Sequence, residues 1–547
     1  MKTIIVGGVA GGASAATRLR RNDENAQIII LDEGEYVSFA NCGLPYYIGN
    51  VIKAKDELIV QTKESFKERF NIDVRLKNEV ISIDVKNNKV IVRDLSNNSE
   101  YEEEYDNLIL SPGARPIKPS NIDGIDNSSV FTLRNISDMD KIKKYIDEKN
   151  PTKCTIIGAG YIGLEMADNL VNIGIETTII EASSHVINTL DLDMAHMVHN
   201  HIRDNNVKLF LNETVTKITN EYVELKSSTK IYTDLVVLCI GVAPDTEFLK
   251  NSGIGIGQRG EIIVDDSLRT NIKNIYAIGD AIGVINYIDK SKVIIPLASP
   301  ANKQGRIVAD IICGANVRYK GTQGTAIAKI FDMTVAVTGL SEEYLKKNNI
   351  EYLKSITYSY SNATYYPGYK PMRIKLIFNG KGKILGCQIV GYDGVDKRID
   401  VIATAIRANM TVNDLQELEL AYAPPFSSAK DPINMAGYVA GNIIDFKTIP
   451  FYIEDIENIE DDAIILDVRT DDEFVRGNLD NSIKISIDEL RNNLDKLDRS
   501  KKIYLYCKIG QRGYIAERIL RQNGFEKVYN LNGGYLLYED MIKDINI

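Results

Sequence analysis

Two stretches of the chain repeat one plan: a short β-branched strand, a glycine turn, a helix, and a second strand that closes on an acidic residue. In the first copy residues 3–6 read as the strand, Gly7-Gly8-Val9-Ala10-Gly11-Gly12 as the turn, 13–21 as the helix and 28–32 as the returning strand ending at Asp32. In the second copy 155–157 form the strand, Gly158-Ala159-Gly160-Tyr161-Ile162-Gly163 the turn, the helix runs to 172, and 177–181 return to Glu181. Each copy is a βαβ unit, and parallel strands joined this way must be covered by helices, which restricts the chain to α/β architectures built around two such sheets.

The glycines carry a chemical implication. A pyrophosphate needs backbone N–H donors at a helix start with no side chain in the way, and an acid closing the second strand can accept ribose hydroxyls. Gly158, Gly160, Gly163 and Glu181 meet the whole pattern. Gly7, Gly8, Gly11, Gly12 and Asp32 meet it with one departure, Val9 at the middle glycine position. Further on, Asn274-Ile275-Tyr276-Ala277-Ile278-Gly279-Asp280-Ala281 reads as an apolar strand delivering Asp280 to a turn. Two dinucleotides are therefore expected on one chain.

With 547 residues the chain exceeds a single hydrophobic core and should form three or four domains. A net charge of −10 leaves no basic footprint for nucleic acid or an anionic membrane. Cysteines at 42, 154, 239, 313, 387 and 507 are scattered without a CxxC pair, the N-terminus enters a strand rather than a leader, and no apolar run approaches a membrane span, so a cytoplasmic setting is expected. After 320 the pattern turns to strand-like runs at 327–331 and 373–378 and a helix at 398–408. A fresh alternation follows at 463–468, 502–506, 513–522 and 527–529.

These turns, together with Ser111-Pro112-Gly113-Ala114-Arg115-Pro116 and Cys239-Ile240-Gly241-Val242-Ala243-Pro244, resemble the pyridine nucleotide-disulfide oxidoreductase family over residues 1–446. The resemblance implies an FAD-binding Rossmann-like domain (1–112 and 247–320), an NAD(P)H-binding one (113–246) and an α+β dimerisation domain (321–446), hence a homodimer with an active site shared between subunits. FAD would take the first βαβ unit and Gly113, Gly279 and Asp280, the nicotinamide the second and Gly241. Glu181 favours the free ribose hydroxyls of NADH and repels the phosphate of NADPH, and Ala182-Ser183-Ser184 supplies no arginine for that phosphate; NADPH stays as the second option.

Ten residues after Asp32 comes Ser38-Phe39-Ala40-Asn41-Cys42-Gly43-Leu44-Pro45-Tyr46. Cys42 is placed to start a helix, whose N-terminus would lower the thiol pKa and favour thiolate. Disulfide-storing relatives need a second cysteine five positions on, where this chain has Tyr47. The oxidised form must then be a mixed disulfide, a persulfide or a sulfenic acid. Peroxide-reducing relatives carry a histidine in the first turn, where this chain has Ala10. His196, His199 and His201 form an HxxHxH spacing, which reads as a polar helix face rather than a metal site; no metal is expected.

The segment around Cys42 is similar to coenzyme A-disulfide reductases and NADH-dependent persulfide or polysulfide reductases. That likeness implies paired tyrosines over the partner subunit's cysteine, Tyr422 from Ala421-Tyr422-Ala423-Pro424-Pro425-Phe426-Ser427 and Tyr365 from Ala363-Thr364-Tyr365-Tyr366-Pro367-Gly368, with Tyr366 the alternative to Tyr365. It also implies coenzyme A contacts at Arg18, Arg21, Ser38, Asn41, Asn302 and Lys430. Arg18 and Arg21 share a helix face and read equally as a solvated charged face paired with Asp23 and Glu24. Asn302 replaces the histidine of simple coenzyme A-disulfide reductases, which points toward the persulfide-reducing and oxidase branches.

After a linker at 447–456, residues 457–547 resemble a single rhodanese domain: Leu466-Asp467-Val468-Arg469-Thr470, Glu473-Phe474, Gly477, the loop Cys507-Lys508-Ile509-Gly510-Gln511-Arg512, and Asn532-Gly533-Gly534-Tyr535. Such a loop aims N–H groups and Arg512 at the sulfur of Cys507 and stabilises thiolate and persulfide. Asn478, in place of the usual histidine, is taken as structural. The combined expectation is an FAD-dependent NAD(P)H oxidoreductase reducing coenzyme A persulfide, polysulfide or coenzyme A disulfide at Cys42, with sulfane sulfur handled at Cys507. An NADH oxidase forming a sulfenate at Cys42 and a sulfur-trafficking or redox-sensing protein are the alternatives.

Overall fold

Both glycine-turn repeats nucleate parallel sheets. A computed structural model describes residues 1–545, and the chain divides into two compact units, 1–182 with 207–324, and 183–206 with 325–547. In the first unit one five-stranded parallel sheet runs in the order Ile275–Ala277, Asn107–Leu110, Lys2–Val6, Gln27–Asp32, Asp73–Leu76. The second runs Lys208–Phe210, Glu176–Ile180, Lys153–Ile157, Leu235–Leu238, Val130–Thr132. The central strands bury nearly every residue, Thr3, Ile4 and Ile5 among them. This is why they read as unbroken β-branched runs rather than as alternating ones.

In each sheet the first strand lies between the returning strand and a later one, so the chain leaves it in opposite directions and a crevice opens at the carboxyl ends, where the glycine turns sit. The crossovers between the sheets pair with each other, Ala114–Pro116 antiparallel to Val242–Pro244. The helix expected at 13–21 begins earlier, at Ala10, because Gly11 and Gly12 form part of its first turn.

The second unit is built on a five-stranded antiparallel sheet, Ala326–Ile330, Met333–Gly339, Ile384–Gly391, Pro371–Phe378, Leu353–Tyr360, with Val395–Arg407 against two of its strands. A parallel sheet follows, ordered Pro450–Phe451, Val528–Leu531, Ile503–Tyr506, Ile464–Asp467, Ile483–Lys484. The two sheets share a core in which Ile356 packs with Phe451, Leu479, Leu531 and Leu537, and the Ile356 N–H donates to Asn532 Oδ1 at 2.6 Å.

Two boundaries differ from expectation. Residues 447–456 are not a free linker: Pro450–Phe451 is the edge strand of the C-terminal sheet, anchored by Glu517, which accepts from the Ile449 N–H at 2.8 Å and from Thr448 Oγ1. The helix Leu192–Asp204 leaves the expected 113–246 domain and joins the second unit, packing on Gly534–Ile545. Its amphipathic face is satisfied there by charge: Lys375, fully buried, reaches Asp191, Asp193 and Glu342 at 2.9, 2.7 and 2.6 Å. Burying a lysine requires such a cage of carboxylates.

Candidate active sites: two nucleotide turns and two sulfur loops

The two glycine turns superimpose in their logic. A Cβ on Gly12 would stand 1.9 Å from the Gly7 carbonyl oxygen, and one on Gly163 would stand 2.1 Å from that of Gly158, so both third glycines are fixed by close approach of helix to strand. Gly160 has nothing within 4 Å of a Cβ, so the protein itself does not demand glycine there; the space it leaves is above the helix start, where an anion fits. Val9 stands at the equivalent place in the first turn. In both copies the acid braces the turn: Asp32 Oδ2 accepts from the Gly8 N–H at 2.8 Å and Glu181 Oε2 from the Ala159 N–H at 2.7 Å. Burial raises the Asp32 pKa, opposed by the Gly8 and Gly34 N–H groups. The donors present therefore fit two dinucleotides.

Beyond the first turn, the helical turn Asn41–Gly43 holds Cys42 and is followed by the short helix Leu44–Ile48. Here the structure corrects the sequence reading. The helix has only five residues, and the surroundings raise the Cys42 pKa rather than lower it. Burial among the walls of its recess is the first cause, although the residue keeps an exposed face, then the charges of Glu165 and Asp280; Arg134 opposes them. Arg134 is itself bound to Asp280 at 2.9 Å, a pair that follows the turn Gly279–Ala281 into the first nucleotide crevice. Gly113 lies against the same guanidinium, and the Gly279 N–H donates to Gln304. Gly241 continues the crossover, its carbonyl accepting from the Ile117 N–H at 2.9 Å.

The expected substrate residues fall in two groups. Ser38, Asn41, Arg18, Arg21 and Asn302 belong to the first unit. Ser38 adopts a positive φ of 48°, which turns its chain so that its carbonyl accepts from the Val60 and Gln61 N–H groups; Asn41 Oδ1 accepts from Cys42 Sγ at 3.8 Å. Arg18 pairs with Asp310 at 2.6 Å, not with Asp23 or Glu24, while Arg21 stays exposed. Asn302 Oδ1 accepts from the Ser14 hydroxyl at 2.5 Å.

In the second unit Tyr365 and Tyr422 meet, their hydroxyls 2.7 Å apart, with Lys430 exposed on the same loop as Tyr422. The structure thus pairs Tyr422 with Tyr365; Tyr366 instead lines an adjoining cavity of about 620 Å³ with Lys397, Arg398 and Phe426. The hydrogen bond that Tyr365 shares with Tyr422 raises the Tyr365 pKa. Sequence reasoning missed what holds the pair. Arg398, 1% exposed, donates to the Ser361 and Phe426 carbonyls at 3.1 and 3.4 Å and to Ser427 Oγ and Asp431 at 3.0 and 3.1 Å, tying both tyrosine loops together.

The second sulfur loop joins Ile503–Tyr506 to Gln511–Gln522. Cys507 is fully buried, its Sγ accepts from the Gly510 N–H at 3.1 Å, and its backbone rests on Gly534, where a Cβ would meet the Cys507 carbonyl at 2.7 Å. Arg512 is held in a two-pronged ion pair with Glu473, both contacts 2.7 Å, and its pKa is raised first by that pair, with the neighbouring Cys507 adding to it. That pair pulls the Glu473 carboxyl down to about 2. Asn478 is exposed and donates to the Phe474 carbonyl, closing the preceding helix.

His196 and His199 do not form an exposed polar face. Both are buried and donate toward Asp544 Oδ2 at 2.5 and 2.7 Å, with Arg203 on its other oxygen. His199 Nε2 accepts the Val186 N–H, so its proton sits on Nδ1 and neither nitrogen offers a lone pair to a cation. The cluster is a clamp on the C-terminal helix. Among the described residues no helix is long and apolar enough to cross a membrane.

Two nucleotide turns on successive parallel sheets, an exposed cysteine beyond the first and an antiparallel sheet domain after both define a class of oxidoreductase built on two nucleotide cofactors. The chain belongs to the pyridine nucleotide-disulphide oxidoreductase family, whose model matches residues 1–305; its dimerisation domain matches 325–432 and a rhodanese-like domain 454–540. The coenzyme A disulfide reductase of Staphylococcus haemolyticus is 37% identical over 444 residues, covering 81% of this chain and 100% of that protein. The structure of reduced Bacillus anthracis CoADR-RHD matches with a TM-score of 0.98 at 48% identity, covering 99% of this chain and 98% of that one. A NAD-dependent persulfide reductase from A. fulgidus matches with a TM-score of 0.92 at 38% identity, covering 98% of this chain and 100% of that one.

Proposed function

We propose that the chain takes electrons from NADH, with NADPH as the second option, and passes them through FAD to sulfur at Cys42, reducing coenzyme A persulfide, polysulfide or coenzyme A disulfide. One observation carries this reading: Cys42 is exposed beside the first nucleotide crevice, Tyr47 stands where a resolving cysteine would be, and Cys154 is buried. Its oxidised partner must therefore come from outside the chain.

FAD supplies the two-electron reduction of a neighbouring sulfur when bound. Gly7, Gly8, Gly11, Gly12, Asp32, Gly113, Gly279 and Asp280 are the residues we assign to holding it, and Gly158, Gly160, Gly163, Glu181 and Gly241 to the nicotinamide. The Cys42 thiolate attacks the substrate sulfur and displaces a thiolate that needs a proton. The Tyr365–Tyr422 pair of a second copy of the chain gives that proton, the homodimer sharing its two sites. Arg18, Arg21, Ser38, Asn41, Asn302 and Lys430 hold coenzyme A. Cys507, beside Arg512, accepts or delivers sulfane sulfur. The six free cysteines suit a cytoplasmic setting.

Steady-state NADH oxidation with each acceptor is the test. Faster turnover with coenzyme A persulfide, polysulfide or coenzyme A disulfide than with oxygen alone is expected. Equal rates with oxygen alone would favour the oxidase working through a Cys42 sulfenate. Slow turnover with every acceptor, while Cys507 still carries sulfur, would favour trafficking.

A further inference from the structure

The loop that carries Cys507 is fixed by the groups that capture its carbonyls. The Cys507 carbonyl accepts from the Tyr535 N–H at 2.8 Å and the Lys508 carbonyl from the Leu536 N–H at 3.0 Å, both backbone donors at the start of the helix Gly534–Ile545. The Gly510 carbonyl is held differently. It accepts from the Tyr514 N–H at 2.9 Å and from a side chain, Asn530 Nδ2, at 3.2 Å. Gly510 is also the residue whose N–H reaches Cys507 Sγ at 3.1 Å.

Those bonds pull the two ends of Gly510 in different directions, and its φ of 93° lets them coexist. A Cβ there would meet nothing nearer than 3.7 Å, so the backbone angle rather than space calls for glycine. A glycine keeps one conformation only when its surroundings hold it. Asn530 is well placed to do so: it is 8% exposed and lies in Val528–Leu531, between Pro450–Phe451 and the strand Ile503–Tyr506 that runs into Cys507, with its own N–H on the Ile449 carbonyl at 3.0 Å. The other half of its amide explains a second glycine. Asn530 Oδ1 accepts no hydrogen bond among the described residues, and a Cβ on Gly513 would stand 2.1 Å from it. Glycine in the first turn of Gln511–Gln522 disfavours the helix, and an unpaired buried oxygen is costly. Both are tolerated where the Nδ2 of the same amide sits on Gly510. Turned over, the amide would set its oxygen against the Gly510 carbonyl, so its orientation is fixed.

We propose that Asn530 is a positioning residue for sulfur transfer at Cys507: by holding the Gly510 carbonyl from outside the loop, it keeps the Gly510 N–H aimed at the sulfur. The proposal rests on the reading of Cys507 as the sulfur carrier. In that reaction the Cys507 thiolate attacks the outer sulfur of a persulfide anion; a new S–S bond forms on Cys507, the S–S bond of the donor breaks, and the donor leaves as a thiolate. Two anions enter and two leave, with no external oxidant or reductant. An N–H steadies the negative sulfur only while it is aimed. Released at its carbonyl, Gly510 turns about its own φ and ψ and carries that N–H off the sulfur.

The test is single-turnover loading of the reduced full-length protein with glutathione persulfide over a range of concentrations, read by mass as one sulfur gained on the Cys507 peptide, in wild type, Asn530→Ala and Asn530→Ala/Gly513→Ser. Asn530→Ala should lower the maximal loading rate about tenfold and leave the half-saturating concentration roughly unchanged. Gly513→Ser puts a hydroxyl three residues after Gly510, able to donate to the same carbonyl from the helix once the amide is gone, so the double variant should recover most of the rate. Loading of Asn530→Ala at the wild-type rate overturns the proposal, as does a loss that the double variant leaves unrepaired or one matched by a rise in the half-saturating concentration, which general loosening would give. Wild type that gains no sulfur on Cys507 overturns the reading of Cys507 instead.

Discussion

The two cysteines proposed to handle sulfur, Cys42 and Cys507, are set up in opposite ways. Cys42 stands in a short helical turn with an exposed face, next to acids that oppose its ionisation and one arginine that is already paired. Cys507 is fully buried in a loop that gives it a backbone N–H and an arginine. The Cys507 cradle suits a thiol that must hold an electron-rich persulfide unaided, since the donors are fixed in the backbone. The charges that bear on Cys42 are mostly acidic, which suits a sulfur whose charge is to be managed by a bound cofactor.

If the sites are this different, each should fail alone. Replacing Cys42 by Ser should lower acceptor-dependent NADH oxidation by about 10³-fold or more while leaving sulfur transfer by Cys507 intact, and Cys507→Ser should do the reverse; parallel assays of both activities on both variants check this. A smaller effect belongs to Arg512. Arg512→Met should reduce sulfur transfer by roughly 10²-fold, and Glu473→Gln by about tenfold, because the guanidinium loses the ion pair that orients it. Neither should alter NADH oxidation with coenzyme A disulfide, and a loss there would show that the two sulfurs act in one obligatory sequence. For the phenol pair, Tyr422→Phe should lower kcat with a disulfide acceptor about tenfold, with the loss greatest for the more basic leaving thiols, which kcat across a series of disulfides reads directly.

The smallest effect concerns stability of the second unit. Burial holds the His199 pKa below its ordinary value, and the hydrogen bonds from His196 and His199 help to hold Asp544 below its own. A histidine depressed in the folded state binds a proton more readily when unfolded, so stability falls as pH drops through about 6.5; the carboxylate contributes stability that is lost further down, below about 4. Urea midpoints of the whole chain should therefore decline from pH 7 to 4, and Asp544→Asn should cost about 2 kcal/mol at pH 7 and steepen that decline, because His199 loses the carboxylate that favours its charged form.

Much of this was legible in the sequence because periodicity and glycine report backbone requirements directly. Gly12 and Gly163 are irreplaceable for the same close approach, and the departure at Val9 is tolerated because the equivalent position, Gly160, touches nothing in the protein. Pairing across the fold was not legible. Arg398 looked like an ordinary helix residue until two loops closed on it, and the HxxHxH spacing suggested a solvated face because Asp544 lies far along the chain. The short helix after Cys42 misled for a related reason: the start of a helix is visible in sequence, but its length and the acids around it come from tertiary packing.

The most direct test of Cys42 as the sulfur that receives the electrons is the mass of its tryptic peptide from protein isolated without reductant, before and after NADH. An adduct of coenzyme A or of one sulfur atom on Cys42, removed by NADH, is the predicted result. A Cys42 peptide carrying a single oxygen, or an unmodified one while the adduct sits elsewhere, would contradict it.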